Sequence, residues 1–291
     1  MKLLFIGDIV SNPGLSVVKK FLPIIKKEYE PDFVIANAEN AEGGRGVSFE
    51  TLNILQASGC DFFTSGDHVF WQKNSEDLLD KFPIIRPANY PVETPGFGYK
   101  IVDTANDKRI LIINAMGRTF LNERLDDPFR KIDEILEITS SQKIDLRVVD
   151  FHAEATSEKL AMGFYLDGRV DIVVGTHTHI PTCDQMQLPK GTFYVSDLGM
   201  CGNIDSVLGV KKEIIIDLFL TARNQRFTWE EAGRKAFRSV FVDTVSNVIK
   251  RIDYEDWLDY LWLFFWKIWK EVYLNEQTRC CKRTCWINWY D

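Results

Sequence analysis

Histidine is scarce in this sequence, and its four copies all occur in the same kind of place. His68, His152, His177 and His179 each lie just beyond a short apolar run that predicts a buried strand. Histidine is the commonest metal ligand and the side chain that titrates nearest neutral pH. A lone histidine there would indicate an ordinary core or surface residue, but four in one setting indicate that the chain builds a single site.

The chain also lacks an excess of basic residues. It carries 35 Lys and Arg against 42 Asp and Glu, for a formal net charge of -7. Nucleic-acid binding depends on a broad positive surface, so we expect no stable nucleic-acid complex. A local basic pocket for a small anion is compatible with the same totals.

Long apolar runs and a regular cysteine framework are missing as well. The N-terminal run Met1–Ile6 is too short for a signal peptide and is soon followed by Asp8. No run before the C-terminal tail is long enough to span a bilayer. Three of the six cysteines are scattered and three crowd residues 280–285, which does not suggest a secreted disulfide framework. We therefore expect a cytoplasmic protein with reduced thiols.

Short apolar runs and stretches of helical spacing alternate along the chain. Strands are predicted at 2–6, 32–36, 61–64, 110–114, 145–149, 171–174 and 193–195, with a sheet-edge strand at 240–244. Helices are predicted at 15–29, 49–58, 76–81, 128–140 and 156–168, the first of them kinked or broken at Pro23. This alternation predicts an α/β layered fold with central β-sheets flanked by helices.

The C-terminal tail differs in composition from the rest. We divide the chain into a domain at 1–254 and an aromatic- and Cys-rich tail at 255–291, which holds six of the eight tryptophans. Residues 257–270 can form an appended helix, too short and too charged to span a bilayer. Three interpretations stay open: an interfacial helix in contact with a membrane, a helix packed in an oligomer or core, or a segment without selected structure. The tail has no histidine and no second cysteine pair, which argues against zinc.

Polar side chains collect where the predicted strands end. They are Asp8, Glu39, Asn40, Asp67, His68, His152, His177 and His179. Carboxylate, amide and imidazole together suit cations such as Mn, Fe or Zn, and the absence of thiolates argues against a structural zinc site. So many ligands suit two cations roughly 3.5 to 4 Å apart, bridged by a carboxylate such as Glu39. A metal-bound hydroxide would then attack an ester, and an uncoordinated histidine would protonate the departing alkoxide.

Five short motifs carry a resemblance to a known family. They are Gly7-Asp8, Asn37-Ala38-Glu39-Asn40, Gly66-Asp67-His68, Asp150-Phe151-His152-Ala153-Glu154 and Gly175-Thr176-His177-Thr178-His179. Together they resemble the calcineurin-like metallophosphoesterases, and most closely the bacterial YmdB-like branch. The resemblance includes segments without a ligand at 86–89, 117–120 and 155–159, and it covers the chain to about Tyr254. It implies a layered fold of the metallophosphoesterase type.

The resemblance also implies a role for each residue. Its pattern gives the first metal to Asp8, Glu39, Asn40 and His179, and the second to the bridging Glu39 with Asp67, His152 and His177. His68 would be the general acid. The branch implies hydrolysis of small phosphodiesters, notably 2',3'-cyclic nucleotides, by a homo-oligomer. We expect Fe or Mn as the metals, with Zn or Mg as alternatives.

Two positions depart from the superfamily's usual pattern. Many members have Asp-x-His at the first motif, whereas this chain has Asp8-Ile9-Val10, as the YmdB-like branch tends to have. The usual Gly-Asn-His is Gly66-Asp67-His68 here. The added negative charge is expected to tighten the second metal, to reduce its Lewis acidity and to repel an anionic phosphate, while activity survives.

An anionic ester needs cationic or amide donors beside the metals. Arg45, Asn89 and Arg118 are the candidates, although Arg45 would equally suit a flexible surface loop with a solvated guanidinium. Glu154 would either orient a ligand from behind or cap the following helix. Two other functions stay open: a phosphomonoesterase or nucleotidase of the same fold, and a regulatory protein that binds metal and nucleotide with little turnover.

Overall fold

A computed structural model describes residues 1–257, which contain fifteen strands and six helices. The strands are β1 (Lys2–Ile6), β2 (Asp8–Ile9), β3 (Phe33–Asn37), β4 (Phe62–Thr64), β5 (Tyr99–Asp103), β6 (Arg109–Met116), β7 (Leu146–His152), β8 (Ile172–Thr176), β9 (Met186–Gln187), β10 (Phe193–Val195), β11 (Met200–Asn203), β12 (Lys235–Phe237), β13 (Ser239–Asp243), β14 (Val248–Arg251) and β15 (Tyr254–Asp256). The helices are α1 (Ser11–Tyr29), α2 (Phe49–Ser58), α3 (Ser75–Lys81), α4 (Pro128–Ile138), α5 (Thr156–Leu166) and α6 (Lys212–Thr221).

Two sheets form the centre of the domain. Their strand orders are β14-β13-β1-β3-β4 and β5-β6-β7-β8-β10-β9. Strands β1, β3 and β4 run parallel, and so do β6, β7, β8 and β10. The carboxyl ends of parallel neighbours lie at the same end of a sheet, so each sheet presents several strand ends together. A smaller sheet has the order β15-β12-β11-β2, and the start of its strand β2 lies at these carboxyl ends.

Alternating side chains explain how the layers stack, because successive residues of a strand face opposite sides. In β1, Leu3 and Phe5 lie in a core cluster with Ile112 of the second sheet. Leu4 and Ile6 lie in a cluster with buried residues of α1 and α2. A third cluster packs the second sheet against α4 and α5. The order helix, sheet, sheet, helix confirms the predicted layered α/β fold.

Local signals fixed several helix boundaries. Ser48 and Thr51 form a reciprocal capping box at the start of α2, and the Asp127 side chain caps α4. Of the two outcomes expected at Pro23, a kink or a break, the break does not occur, because α1 continues from Ser11 to Tyr29 with Pro23 inside it. Proline cannot donate to the helix ladder, so α1 forgoes one backbone hydrogen bond there. The apolar face that α1 buries against the first sheet offsets that loss.

The strand predicted at 240–244 exists as β13, but its predicted place at a sheet edge is wrong. It pairs with β1 on one side and with β14 on the other. Val240 and Val242 are fully buried between the two sheets. The edge position belongs instead to β14, whose exposed Val248 and Lys250 gave little apolar pattern to recognise.

The predictions made for the tail beyond residue 257 lie outside the described residues. Strand β15, which spans the predicted domain boundary at 254, pairs with β12. Within residues 1–257, no helix is long and apolar enough to cross a membrane. The homo-oligomer and the cytoplasmic location stay predictions.

Candidate metal centre

The predicted ligands meet where the strands of both central sheets end. Asp8 follows β1, and Glu39 follows β3 by two residues. His152 is the last residue of β7, and His177 follows β8 directly. Because both sheets end at the same side of the domain, their exits face one another across the gap between the sheets.

Four of these residues form a compact group of metal-type donors. Glu39, Asp67, His152 and His177 each place one donor atom within 4.8 Å of all the others. His152 Nε2 lies 3.1 Å from Asp67 Oδ1, 3.4 Å from Glu39 Oε2 and 3.0 Å from His177 Nδ1. These are the residues that the resemblance assigned to the second metal.

A second group overlaps the first at Glu39. Asp8, Glu39 and His179 also bring their donor atoms within 4.8 Å of one another, and all three are buried. Three side-chain oxygens of the described residues are buried without a hydrogen-bond partner; one is Gln185 Oε1, and the other two, Asp8 Oδ1 and Asn40 Oδ1, lie here. Unpaired buried oxygens are rare and costly, and a hard cation would give both the missing interaction. The donors and these orphaned oxygens therefore fit a metal ion.

Hydrogen bonds from behind determine which nitrogen each ligand histidine presents. Thr176 Oγ1 donates to Asp150 Oδ1 at 2.8 Å, so it accepts from His152 Nδ1 at 2.9 Å. Glu154 accepts from His177 Nε2 at 3.1 Å, and the Leu208 carbonyl accepts from His179 Nδ1 at 3.2 Å. The imidazoles of His152 and His179 thus turn an unprotonated nitrogen toward the donor groups, an arrangement typical of metal-bound histidine. At His177, although burial favours the neutral form, the hydrogen bond to Asp67 raises the pKa of the imidazole, and a cation would replace that proton.

This arrangement creates a conflict that a cation resolves. The lone pair of His152 Nε2 faces carboxylate oxygens of Asp67 and Glu39 at 3.1 and 3.4 Å. A proton between these atoms is disfavoured, since burial lowers the pKa of His152 to about 3. A metal ion between them would bind all three atoms at once.

Burial also shifts the first group away from its usual protonation. Burial, reinforced by the charge of Asp197, raises the pKa of Asp8 to about 8. Burial raises the pKa of Glu39 as well, with the charges of Asp67 and Asp8 adding to the effect. Burial lowers the pKa of His179 to about 4, so its imidazole is neutral at pH 7. Two cations would stabilise the ionised carboxylates and keep the neutral imidazole as a ligand.

His68 differs from the other three histidines. It belongs to neither donor group found among residues 1–257. The Asn40 amide donates to the Gly44 carbonyl at 3.0 Å, which identifies its nitrogen, and the same nitrogen lies 3.3 Å from His68 Nδ1. An amide nitrogen can only donate, so Nδ1 accepts from Asn40 when the proton is on Nε2, whereas a proton on Nδ1 would be donated to Glu39 Oε1, which lies 3.3 Å away. Its side chain is 20% exposed, and its Nε2 lies 3.6 Å from Asp67 Oδ2.

The turn from 177 to 179 is held in an unusual conformation. His177 and His179 have φ angles of 100° and 64°, a region that residues other than glycine seldom adopt. Asp197 holds the residue between them, because it accepts hydrogen bonds from both the backbone N–H and the hydroxyl of Thr178. Lys159 Nζ pairs with the same Asp197 oxygen at 2.5 Å, and both side chains are 1% exposed. The buried ion pair therefore fixes the turn that aims two imidazoles at different donor groups.

The structure contradicts the prediction that Asn89 contacts substrate. Asn89 is fully buried, and its amide donates to the carbonyls of Met116 and Asp126. Its oxygen accepts from the Met116 N–H at 2.9 Å. No donor remains for a ligand, so Asn89 instead joins the end of β6 to the loop at 126.

The two predicted arginines lie in different settings. Arg118 is half exposed and pairs with Asp127, the cap of α4, at 3.1 Å. Arg45 lies 4.8 Å from the centre of the Trp71 ring and close enough to His68 for its charge to help burial lower the pKa of that imidazole. Both substrate contacts stay predictions, and Arg45 is the better placed.

Sequence reasoning missed the supports behind the ligands. Asp150 and Thr176 stood in recognised motifs without a role. Asp150 is 3% exposed and accepts from Thr64, Thr176 and Asn37. The available signal was an acidic residue inside the apolar run of β7, which requires buried hydrogen-bond partners. Lys159 and Asp197, from separate elements, offered no such signal.

Comparison with known proteins identifies the family of this chain. A family model described as YmdB-like protein matches residues 4–254. The 2',3'-cyclic-nucleotide 2'-phosphodiesterase of Bacillus subtilis (strain 168) is 45% identical over 256 residues, which are 88% of this chain and 96% of that enzyme.

Two solved structures are also similar. A hypothetical protein from Thermus thermophilus superimposes with a TM-score of 0.82 at 41% identity, covering 88% of this chain and all of that one (100%). A novel phosphatase from Mycoplasma pneumoniae gives a TM-score of 0.79 at 31% identity, covering 88% and 93%. The resemblance drawn from the five motifs is confirmed, and this chain belongs to the YmdB-like protein family.

Proposed function

We propose that this protein is a metal-dependent phosphodiesterase that hydrolyses 2',3'-cyclic nucleotides. The observation that carries the proposal is the pair of overlapping donor groups that share Glu39. Two cations held by a shared carboxylate suit displacement at a phosphorus centre, because both the attacking and the leaving oxygen need stabilisation. The 45% identity to an enzyme of that name supports the substrate class.

We assign one ligand set to each ion. Asp8, Asn40 and His179 with Glu39 would hold the first, and Asp67, His152 and His177 with Glu39 would hold the second. The mixed oxygen and nitrogen donors suit Fe or Mn, with Zn or Mg as alternatives. Bound ions would supply the positive charge that polarises the phosphate and activates water.

His68 is proposed to donate a proton to the leaving oxygen. With Glu39 bound to the cations, donation from the Asn40 amide to Nδ1 would place the proton on Nε2. In a 2',3'-cyclic nucleotide cleaved at the 2' bond, the leaving group is the ribose 2'-oxygen, which must gain a proton as the P–O bond breaks. Glu154 and Thr176 keep His177 and His152 in the tautomers that cannot compete for this role.

A reconstitution assay tests the proposal. Metal-free protein is loaded with Mn or Fe, and hydrolysis of a 2',3'-cyclic nucleotide, bis-p-nitrophenyl phosphate and p-nitrophenyl phosphate is measured. We expect metal-dependent cleavage of the first two and little of the third. Glu39→Gln should abolish cleavage together with the binding of both ions, since both donor groups lose their shared member.

The alternatives give different results in the same assay. A similar structure from Mycoplasma pneumoniae is named a phosphatase, which keeps a phosphomonoesterase as the second candidate. Cleavage of p-nitrophenyl phosphate in preference to the diester would favour it. Tight metal uptake with no turnover of any ester would favour a regulatory protein. Asp67 suggests this alternative, because its extra negative charge is expected to tighten the second metal and to reduce its Lewis acidity.

A further inference from the structure

An aromatic platform adjoins His68 and has no part in the metal site. Trp71 meets the His68 imidazole edge-on, with 5.1 Å between ring centroids. The Arg45 guanidinium lies 4.8 Å from the centre of the Trp71 ring and 5.6 Å from that of Phe227. One guanidinium thus bridges two aromatic rings from distant parts of the chain, and this contact fixes their positions before any ligand arrives.

These rings are open to solvent despite their contacts. The exposed fraction is 56% for Trp71 and 36% for Phe227. A cavity of about 370 Å³ lies beside Phe227 and Arg45 and is lined by Arg45, Gln225, Arg226, Phe227 and Trp229. Large aromatic side chains usually bury most of their surface, so an exposed tryptophan in contact with the proposed general acid points to a ligand.

We infer that Trp71, supported by Arg45 and Phe227, forms a stacking subsite for the nucleobase of the substrate. The inference rests on the proposed function. In a 2',3'-cyclic nucleotide, one ribose carries both the cyclic phosphate and the base. When the leaving oxygen faces His68, the base therefore lies within one sugar of that imidazole, where Trp71 stands.

The chemistry of stacking determines what this subsite selects. Every base has a π-face, so stacking on tryptophan tolerates all four bases. The subsite should therefore favour nucleotides over cyclic phosphates that lack a base, without a strong preference among bases. The adjacent Arg45 adds a cationic plane that also stacks on aromatic rings.

Kinetics of Trp71→Ala and Trp71→Phe on two substrates provide the test. The substrates are adenosine 2',3'-cyclic phosphate and glycerol 1,2-cyclic phosphate, which has no base. We expect Trp71→Ala to lower the ratio of kcat/KM for the nucleotide over the base-free ester by roughly 5- to 150-fold, the range of base–aromatic stacking. Trp71→Phe should restore most of that ratio. Phe164→Ala is the matched control, because Phe164 is a 53% exposed aromatic residue of α5.

An equal loss on both substrates would overturn the inference, because it would mean that Trp71 only positions His68. An unchanged ratio would overturn it as well. Binding of adenosine 3'-monophosphate and of inorganic phosphate to the Mn-loaded protein, followed by calorimetry, separates this inference from the proposed function. If the wild type hydrolyses neither ester but binds the nucleotide more tightly than phosphate through Trp71, the function fails and the subsite stands. Equal binding of both ligands by wild type and Trp71→Ala refutes the subsite.

Discussion

The hydrogen bond between Thr176 and His152 gives the sharpest test of the metal centre. Thr176→Val keeps the size of the side chain and removes the oxygen that accepts from His152 Nδ1 and donates to Asp150. Both partners are buried, at 0% and 3% exposure. Without the hydroxyl, His152 is free to place its proton on either nitrogen, and the tautomer with Nε2–H cannot bind a metal.

The size of the effect follows from two contributions. Loss of a support behind a ligand histidine typically weakens metal affinity by about 10- to 100-fold, or about 1.4 to 2.7 kcal/mol. Burying an unpaired imidazole N–H costs a further ~1–3 kcal/mol of folding free energy in the metal-free protein. Only the donor group that contains His152 should weaken, because the group of Asp8, Glu39 and His179 does not include it.

Titration of metal-free protein with Mn in competition with a fluorescent chelator measures both affinities. We expect Thr176→Val to retain one tight Mn site and to bind Mn at the second site with an affinity lowered by the stated factor. Thr176→Ser keeps a hydroxyl and should remain within a few-fold of the wild type. If Thr176→Ser weakened metal binding as much as Thr176→Val, or if both sites of Thr176→Val weakened equally, the reasoning about the tautomer would be refuted.

Three further predictions concern the charges and protons of the site. His68→Ala should lower kcat on the diester by about 10²- to 10⁴-fold, while elemental analysis should find both metals still bound. A loss of metal in this variant would instead make His68 a ligand. Asp67→Asn should weaken the second metal but raise kcat/KM for an anionic diester, because a negative charge beside the phosphate is removed; slower turnover with metals at saturation would contradict this. The metal-free carboxyl of Asp8 has a raised pKa of about 8, so it is protonated at pH 7 and must lose its proton on binding metal. Calorimetry in buffers of different ionisation enthalpy should therefore show that Mn binding releases protons, and that this release diminishes as the pH rises through about 8. The Mn affinity should rise over the same pH interval. An affinity independent of pH would contradict the raised pKa of Asp8.

The candidate ligands could be picked from sequence because each follows a strand whose apolar run is unmistakable. The runs before Glu39 and His177 are buried on both faces, which is typical of strands in a parallel sheet. The two residues therefore lie at the carboxyl end of such a sheet. Short strands at the periphery gave no comparable signal. Strand β14 alternates exposed and half-buried residues, and β9 contains only two residues, both exposed. Pairing with a neighbour, which a local pattern cannot show, creates these strands.

Asn89 shows why residue type alone misassigned a role. An asparagine in a loop near the site can donate to phosphate or to backbone carbonyls with equal ease. The choice depends on which groups surround it, and here the carbonyls of Met116 and Asp126 take both amide hydrogens. Arg45 differs because its guanidinium lies over aromatic rings, and this contact leaves the N–H groups at the rim of the guanidinium available to a ligand.

The turn from 177 to 179 explains how one strand exit serves two donor groups. In an extended strand, residues two apart point to the same side, so His177 and His179 would aim at one point. Positive φ angles at both positions break that regularity and send His177 to the group of Asp67 and His179 to the group of Asp8. Such a backbone costs of order 1–3 kcal/mol for each residue and persists only when its surroundings enforce it. Asp197 enforces it by binding Thr178 at the centre of the turn, and Lys159 enforces it by neutralising Asp197. The division of the two histidines between the two donor groups therefore depends on a buried ion pair that belongs to neither group.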